Sequence, residues 1–536
     1  MTVRRFALML AVLALFAAAC SSSDDSADTT TTAVATAAET TTTAAATAAA
    51  TTTTAAAAAT TTAATKSAQS VVTIGLQLEP PTLDLTESPA AAIPQVLLYN
   101  VYEGLVKLDE SGEIQPLLAE SWELSEDGAE YTFHLVDATF HNGKTLTADD
   151  VVFSIDNVLT KDPDHPFKDT LASIESVEAI DDKTVKFTLS QFSANLLFFL
   201  TQGQGVILDE AAIGEIATHP VGTGPFVFES QVPGDSITLV ANPDYWGDPA
   251  LLETVTFRYI NDPNALNNAM LAGDIDVLNG VSAPELLEAF GDESQFTVYT
   301  GLTNGEVTLA LNGGNAPLDQ LEVRQAISYG IDRQAVVDGA YFGYGELIGS
   351  HTTPLDPYYE DLNDIYPYDP EQAAALLAEA GVDEGTTLRM ILPPVSYAER
   401  GGQIIASQLT ELGFNVEIQN VEWGVWLEDV FANKDYDLSI VAHVEPRDIS
   451  QYGNPDYYWA YDNPDVAALV VAADAEPDDA ARNEIYKQIQ EQITADAANV
   501  WPFLLPALSV TKPGVTGFIA NAPGLSLDIT KLAFNP

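Results

Sequence analysis

The chain has 536 residues, with 78 Asp and Glu against 20 Lys and Arg, a formal net charge of -58. That length is too great for one compact core. The charge excludes a nucleic-acid binder, which needs a basic face for phosphates, and disfavours an electrostatic grip on anionic lipid. With 46% hydrophobic residues the chain can still bury a core, and its single cysteine excludes a disulfide framework.

Arg4 and Arg5 precede an apolar run from Phe6 to Ala19 that stops at Cys20. The run is too short to span a bilayer and suits the apolar part of a signal peptide, residues 1–19. Ala17, Ala18 and Ala19 before the cysteine resemble a bacterial lipoprotein signal. In that reading Cys20 is lipidated and holds the protein on the outer face of the cell membrane. Ala17 stands where Leu is commoner, and ordinary secretory cleavage at the same cluster is the alternative. Residues 20–70, after the cysteine, are largely Ser, Asp, Thr and Ala, with no apolar face to dock. They read as a disordered tether whose ends, as a flexible coil, lie roughly 40 Å apart. Only four acids (Asp24, Asp25, Asp28 and Glu39) fall between Ser21 and Thr65. The acidity therefore belongs to the folded part, where it reads as an adaptation to saline surroundings.

Structure is expected from about Val71. Tyr131 to Val136 alternates apolar and polar residues as a half-buried strand, and Asn142-Gly143 marks a turn. Thr147 and Asp150 resemble a capping box, ahead of a helix with Val151, Ile155, Val158 and Leu159 on one face. Val185, Phe187 and Leu189 mark another strand. Asp369 caps a helix that has Pro370 in its first turn and ends at Gly381. Thr387 to Leu392 reads as a strand, Ile404 to Leu412 as a helix stopped by Gly413, and Phe414, Val416 and Ile418 as the next strand. This βαβ unit predicts a parallel sheet. A further helix carries Ile485, Ile489 and Ile493.

No nucleophile elbow, phosphate loop or dinucleotide fingerprint occurs. The six histidines (His134, His141, His165, His219, His351 and His443) are scattered, with no metal-ligand spacing. No metal or cofactor is expected, and no catalytic pair stands out among so many carboxylates. One segment does: a buried strand, Leu438 to Ala442, runs into His443, Glu445, Arg447 and Asp448. In open α/β sheets ligands bind beyond the carboxyl ends of strands. There a carboxylate could hold a ligand ammonium and Arg447 a carboxylate. The alternative is a loop in which Arg447 satisfies its acidic neighbours. Trp423 and Trp426 would share a helix face, either as core or as a flat apolar wall.

Leu118-Ala-Glu-Ser-Trp-Glu-Leu-Ser-Glu-Asp-Gly128 and Phe140-His-Asn-Gly-Lys-Thr-Leu-Thr-Ala-Asp-Asp-Val-Val-Phe153 resemble family 5 extracellular solute-binding proteins. These are the dipeptide, oligopeptide and nickel receptors of ABC importers. The resemblance continues through Gly222-Thr-Gly-Pro-Phe226, Asn242-Pro-Asp-Tyr-Trp-Gly247, Val323 to Arg333 and Tyr368 to Gly381. It implies an α/β, two-lobed fold of the type II periplasmic-binding-protein kind (cluster C), with a small inserted domain. Lobe I would comprise 71–108, 222–302 and 506–536, the inserted domain 109–221, and lobe II 303–505. Gly301 to Gly305 and Pro502 to Pro506 would be hinge crossings. The segment Glu79 to Pro81 matches one that pairs with peptide backbone in relatives, although Pro80 and Pro81 lack N–H groups. Trp423 matches a pocket tryptophan. The acid that meets a ligand amine would be Glu445 or Asp448, because Ala442-His443 replaces the usual Gly-Trp step.

The resulting expectation is a monomeric, membrane-tethered receptor that binds a small polar ligand, foremost a peptide, and hands it to a permease without catalysis. It would work outside the cytoplasm, in the periplasm or at the cell surface. An oligosaccharide or a nickel chelate is the alternative ligand. A secreted carboxylate hydrolase is the alternative of another class.

Overall fold

The computed structural model describes residues 67–161 and 165–535. The apolar N-terminal run, Cys20 and the tether up to residue 66 lie outside the described residues. The chain already belongs to the fold at Ser67, a few residues before the sequence suggests. The Ser67 hydroxyl donates to the Phe534 carbonyl at 2.9 Å, and the Gln69 N–H does the same at 3.0 Å.

Two principal sheets each carry their own core. The larger has seven strands in the order Thr297–Gly301, Ala507–Thr511, Val277–Asn279, Val71–Leu76, Thr254–Tyr259, Ser236–Ala241 and Phe226–Val232. Its central strand, Val71–Leu76, pairs in parallel with both neighbours, and the remaining pairs are antiparallel. Alternate residues Val72, Ile74 and Leu76 are buried against Ile237, Leu239, Val255 and Phe257. An antiparallel four-stranded sheet, Ala119–Leu124, Glu130–Leu135, Thr184–Leu189 and Ile174–Asp181, packs under the helix Ala148–Thr160. That helix starts with the Thr147–Asp150 capping box read from the sequence.

The second principal sheet has five strands in the order Asn415–Asn420, Thr387–Leu392, Leu438–His443, Glu306–Leu311 and Asn499–Leu504. The expected helix Pro370–Ala380 is present, with the Asp369 carboxylate accepting the Gln372 N–H at 2.9 Å and Gly381 left-handed at φ 70. The βαβ unit is parallel as expected. The sheet as a whole is mixed, however, because Glu306–Leu311 runs antiparallel to both of its neighbours. Asn415–Asn420 is an edge strand, which explains why its apolar Ile418 stays exposed.

The chain passes directly between the two sheets at 302–305 and again at 505–506. These crossings are tied together. The Thr303 hydroxyl donates to the Leu505 carbonyl, and the Leu505 N–H donates to the Gly305 carbonyl at 2.8 Å. Gly301 lies where a Cβ would sit 1.9 Å from the Ala520 carbonyl oxygen, so the approach to the crossing needs glycine.

Two motifs that carry the family resemblance meet at one buried carboxylate. Glu103 accepts hydrogen bonds from the Thr223 hydroxyl (2.8 Å), the Tyr245 hydroxyl (2.6 Å) and the Trp246 indole (2.9 Å). Burial raises the Glu103 carboxyl, and these three donors act against that rise. Glu103→Ala would strand three donors in the core. The expected loss is about 3 kcal/mol or more of unfolding free energy, measurable by urea titration; a loss below about 1 kcal/mol would show that the three bonds are dispensable.

Candidate functional site

The strand Leu438–His443 is buried along its whole length and delivers His443 to the sheet end nearest the crossings. His443 pairs in register with Glu306, the first residue of the antiparallel neighbour, so the two side chains share one face. The chain then loops through Glu445 and Arg447 into a short turn, Asp448–Gly453.

Asp448 is the hub. One carboxylate oxygen lies 2.7 Å from His351 Nε2 and the other 3.0 Å from His443 Nδ1. The donors around them assign the protons. Trp501 donates its indole N–H to His351 Nδ1 at 3.2 Å, so the His351 proton sits on Nε2 and faces Asp448. His443 offers Nδ1–H to Asp448, and its Nε2 stands 3.0 Å from the Tyr458 hydroxyl. Burial holds the His351 imidazole below its ordinary pKa, against the pull of Asp448. Burial would raise the Asp448 carboxyl, but its two histidine partners outweigh it and hold it well below the usual carboxylate range.

His351, His443 and Asp448 present donor atoms within 4.8 Å of one another, a set that by residue type could hold a divalent cation. The proton assignment argues otherwise. An indole can only donate, so the Trp501 bond leaves His351 no free lone pair toward a metal. The arrangement fits a hydrogen-bonded His-Asp-His bridge instead. Tyr452 stacks on Trp459 at 4.4 Å, and Tyr457, Tyr458 and Trp459 crowd the His443 ring. Sequence spacing does not reveal this cluster, because His351 stands far away in the chain from the strand it packs on.

Two more acids lie in this region. Glu306 is 3% exposed, and its Oε2 is buried without a hydrogen-bond partner. Burial first, and the charges of Asp448 and Asp356 next, push its carboxyl well above the ordinary range. Asp356 accepts the Thr353 N–H at 2.9 Å; burial raises it to about 6, with that bond and Arg447 limiting the rise.

Opposite these groups stands the unit built on the four-stranded sheet. A narrow void of about 10 Å³ near the crossings is lined by Leu108 and Phe198, by Leu355, Asp356 and Arg447, and by Asn304. The Arg447 guanidinium lies 4.7 Å from the centre of the Phe198 ring.

The residues singled out in the sequence are thus placed unevenly. His443, Glu445, Arg447 and Asp448 gather at one strand end, but both Asp448 oxygens are taken by histidines. Glu445 is exposed, its Oε2 3.3 Å from the Val444 N–H. Trp423 is half-buried, its ring 5.6 Å from Trp426, which reaches Tyr458 at 5.9 Å. Glu79 is turned elsewhere: its carboxylate accepts from the Gln231 amide at 3.1 Å and the Gly234 N–H at 2.9 Å, at the turn of a hairpin. The segment around Glu79 forms no strand. His351, Glu306 and Asp356, which the sequence did not single out, supply the rest of the site.

Asp356 gives a pH test. A buried acid with a raised folded-state pKa binds its proton more tightly folded than unfolded. Its contribution is therefore most favourable at low pH and is lost as pH rises from about 4 through about 6. Asp356→Asn should raise Tm at pH 8, by a gain on the order of 2 kcal/mol, and leave it unchanged near pH 4. A gain independent of pH would contradict this.

Known proteins share both sequence and architecture with this chain. Residues 113–466 match bacterial extracellular solute-binding proteins, family 5 middle. Heme-binding protein A of Haemophilus influenzae is 31% identical over 360 residues, 60% of this chain and 65% of that protein's length. Di/tripeptide-binding protein 1 of Pseudomonas aeruginosa is 30% identical over 366 residues, covering 61% of this chain and 67% of the relative. Among solved structures, the oligopeptide-binding protein AppA of Bacillus subtilis, in complex with a nonapeptide, aligns at TM-score 0.67 and 26% identity. That alignment covers 88% of this chain and 100% of AppA. The unliganded open form of the murein tripeptide binding protein MppA aligns at TM-score 0.78 and 23% identity, covering 88% and 99%. The protein is a two-lobed member of the family 5 extracellular solute-binding proteins.

Proposed function

We propose that this chain is the solute-binding component of an ABC importer, capturing a small polar ligand, foremost a peptide, between its lobes and presenting it to a permease. The observation that carries this reading is Arg447, just beyond the strand end at His443, and Asp356 lining one void together with Phe198 beside two chain crossings. A ligand in that position touches both sides, so its binding free energy can favour one lobe arrangement over another. In this reading lobe I comprises 71–108, 222–302 and 506–536, the inserted domain 109–221, and lobe II 303–505. Lipidation at Cys20 would keep the receptor at the outer face of the membrane, beside its permease.

Within this reading the roles shift from those expected of the bare sequence. Asp448 organises the site by fixing two imidazoles, and Asp356 or Glu306 is the carboxylate available to a ligand. Trp423 supports the aromatic wall through Trp426. No step of chemistry is required of any of them.

Native mass spectrometry of the purified protein, with thermal shifts across peptide, oligosaccharide and metal-chelate panels, tests the proposal. A true ligand at 100 times its Kd should stabilise the fold by about 2.7 kcal/mol. Peptides are expected to give the shift. An oligosaccharide or chelate doing so would change the ligand class, and no shift in any panel would overturn the receptor reading.

A further inference from the structure

Arg447 is held in an unusual way. Its backbone is left-handed at φ 63, a conformation that strains a non-glycine residue. Its guanidinium rests on the face of Phe198, and among the described residues it forms no ion pair despite the carboxylates nearby. Phe198 is itself informative. It is 5% exposed, yet it stands outside the core of the inserted unit that its neighbours Leu196 and Leu200 help to build. Its ring is therefore covered from the opposite side of the void, where Arg447 and Asp356 lie.

The surroundings favour positive charge. Asp356 lines the same void as Arg447 and feels its charge, Glu306 feels the charges of Asp448, Asp356 and Glu445, and Glu306 Oε2 is buried and unpartnered. An aromatic face with a carboxylate at its edge is the chemistry that recognises an alkylammonium or a guanidinium. A cation–π contact is weak enough for a ligand cation to replace it. Relief of the left-handed backbone at Arg447 would assist the exchange.

We propose that the Arg447 guanidinium occupies the seat of a ligand cation, so that a solute bearing an ammonium or guanidinium group displaces it from the subsite between Phe198 and Asp356. Arg447 then acts as a tethered competitor rather than as a clamp for a ligand carboxylate. This rests on the receptor reading above and narrows its ligand class to cationic solutes.

Isothermal titration with the dipeptides Ala-Arg, Ala-Lys, Ala-Glu and Ala-Ala, and with free arginine, tests it. The wild-type chain should prefer Ala-Arg and Ala-Lys over Ala-Glu by tenfold or more. Arg447→Ala should tighten the cationic dipeptides by roughly tenfold. Phe198→Leu, which keeps the site apolar but removes the ring face, should weaken them by about the same factor, as should Asp356→Asn. Arg447→Lys, with a smaller change in shape, should fall between wild type and Arg447→Ala. Circular dichroism confirms that each variant folds. If Arg447→Ala instead weakens binding and the lost ligand is Ala-Glu, Arg447 is an anion clamp and the inference fails while the receptor reading stands. If neither wild type nor Arg447→Ala binds any cationic probe, the inference also fails, and the broader panels decide the receptor reading on their own.

Discussion

The structure depends on the paired chain crossings at 302–305 and 505–506. Two sheets with separate cores are joined there by short segments that hydrogen-bond to each other, Thr303 to Leu505 and Leu505 to Gly305. Because each crossing links the end of a strand in one sheet to the start of a strand in the other, the sheet ends must face one another. The polar residues that follow Leu438–His443, and those that open Glu306–Leu311, are carried to that junction by the topology. The same constraint limits how the lobes can move. A rotation about two adjacent, mutually bonded segments would leave both sheets intact.

At the junction, burial decides what each charged group can do. Asp448 stays ionised because two histidine N–H groups meet it, and it is for that reason unavailable to a ligand. The indole of Trp501 and the hydroxyl of Tyr458 complete the bridge on its far sides. A satisfied network of this kind is rigid and expensive to break, so it can serve as the fixed floor of a site. Glu306 and Asp356 are the complementary case: they lack enough partners to settle as buried anions, and both are pushed toward their neutral forms.

How much of this was legible in the sequence depended on how local the signal was. The helix Pro370–Ala380 declares itself through Asp369, Pro370 and Gly381, and the helix Ala148–Thr160 through Thr147 and Asp150, because caps are settled within one turn. The strand ending at His443 was also readable, from the mainly apolar Leu438 to Ala442 followed by charged residues. Glu306 and His351 were not readable: their place beside Asp448 follows from sheet register and a distant loop, which leave no periodic trace. The antiparallel entry of Glu306–Leu311 into an otherwise parallel unit is a long-range choice of the same sort. Glu79 shows the opposite hazard, a locally suggestive position whose carboxylate is claimed by a hairpin turn. The charge of -58 indicated nothing about the site beyond excluding nucleic acid.

The central claim is that this molecule binds a solute by moving two lobes about those crossings. Fluorophores on Val232→Cys and Val471→Cys, at exposed sites on opposite lobes, report their separation; Cys20→Ser removes the single natural cysteine. Titration with an equimolar dipeptide mixture should change the transfer efficiency saturably, in step with calorimetric binding. Binding heat with no change in transfer efficiency would contradict the account.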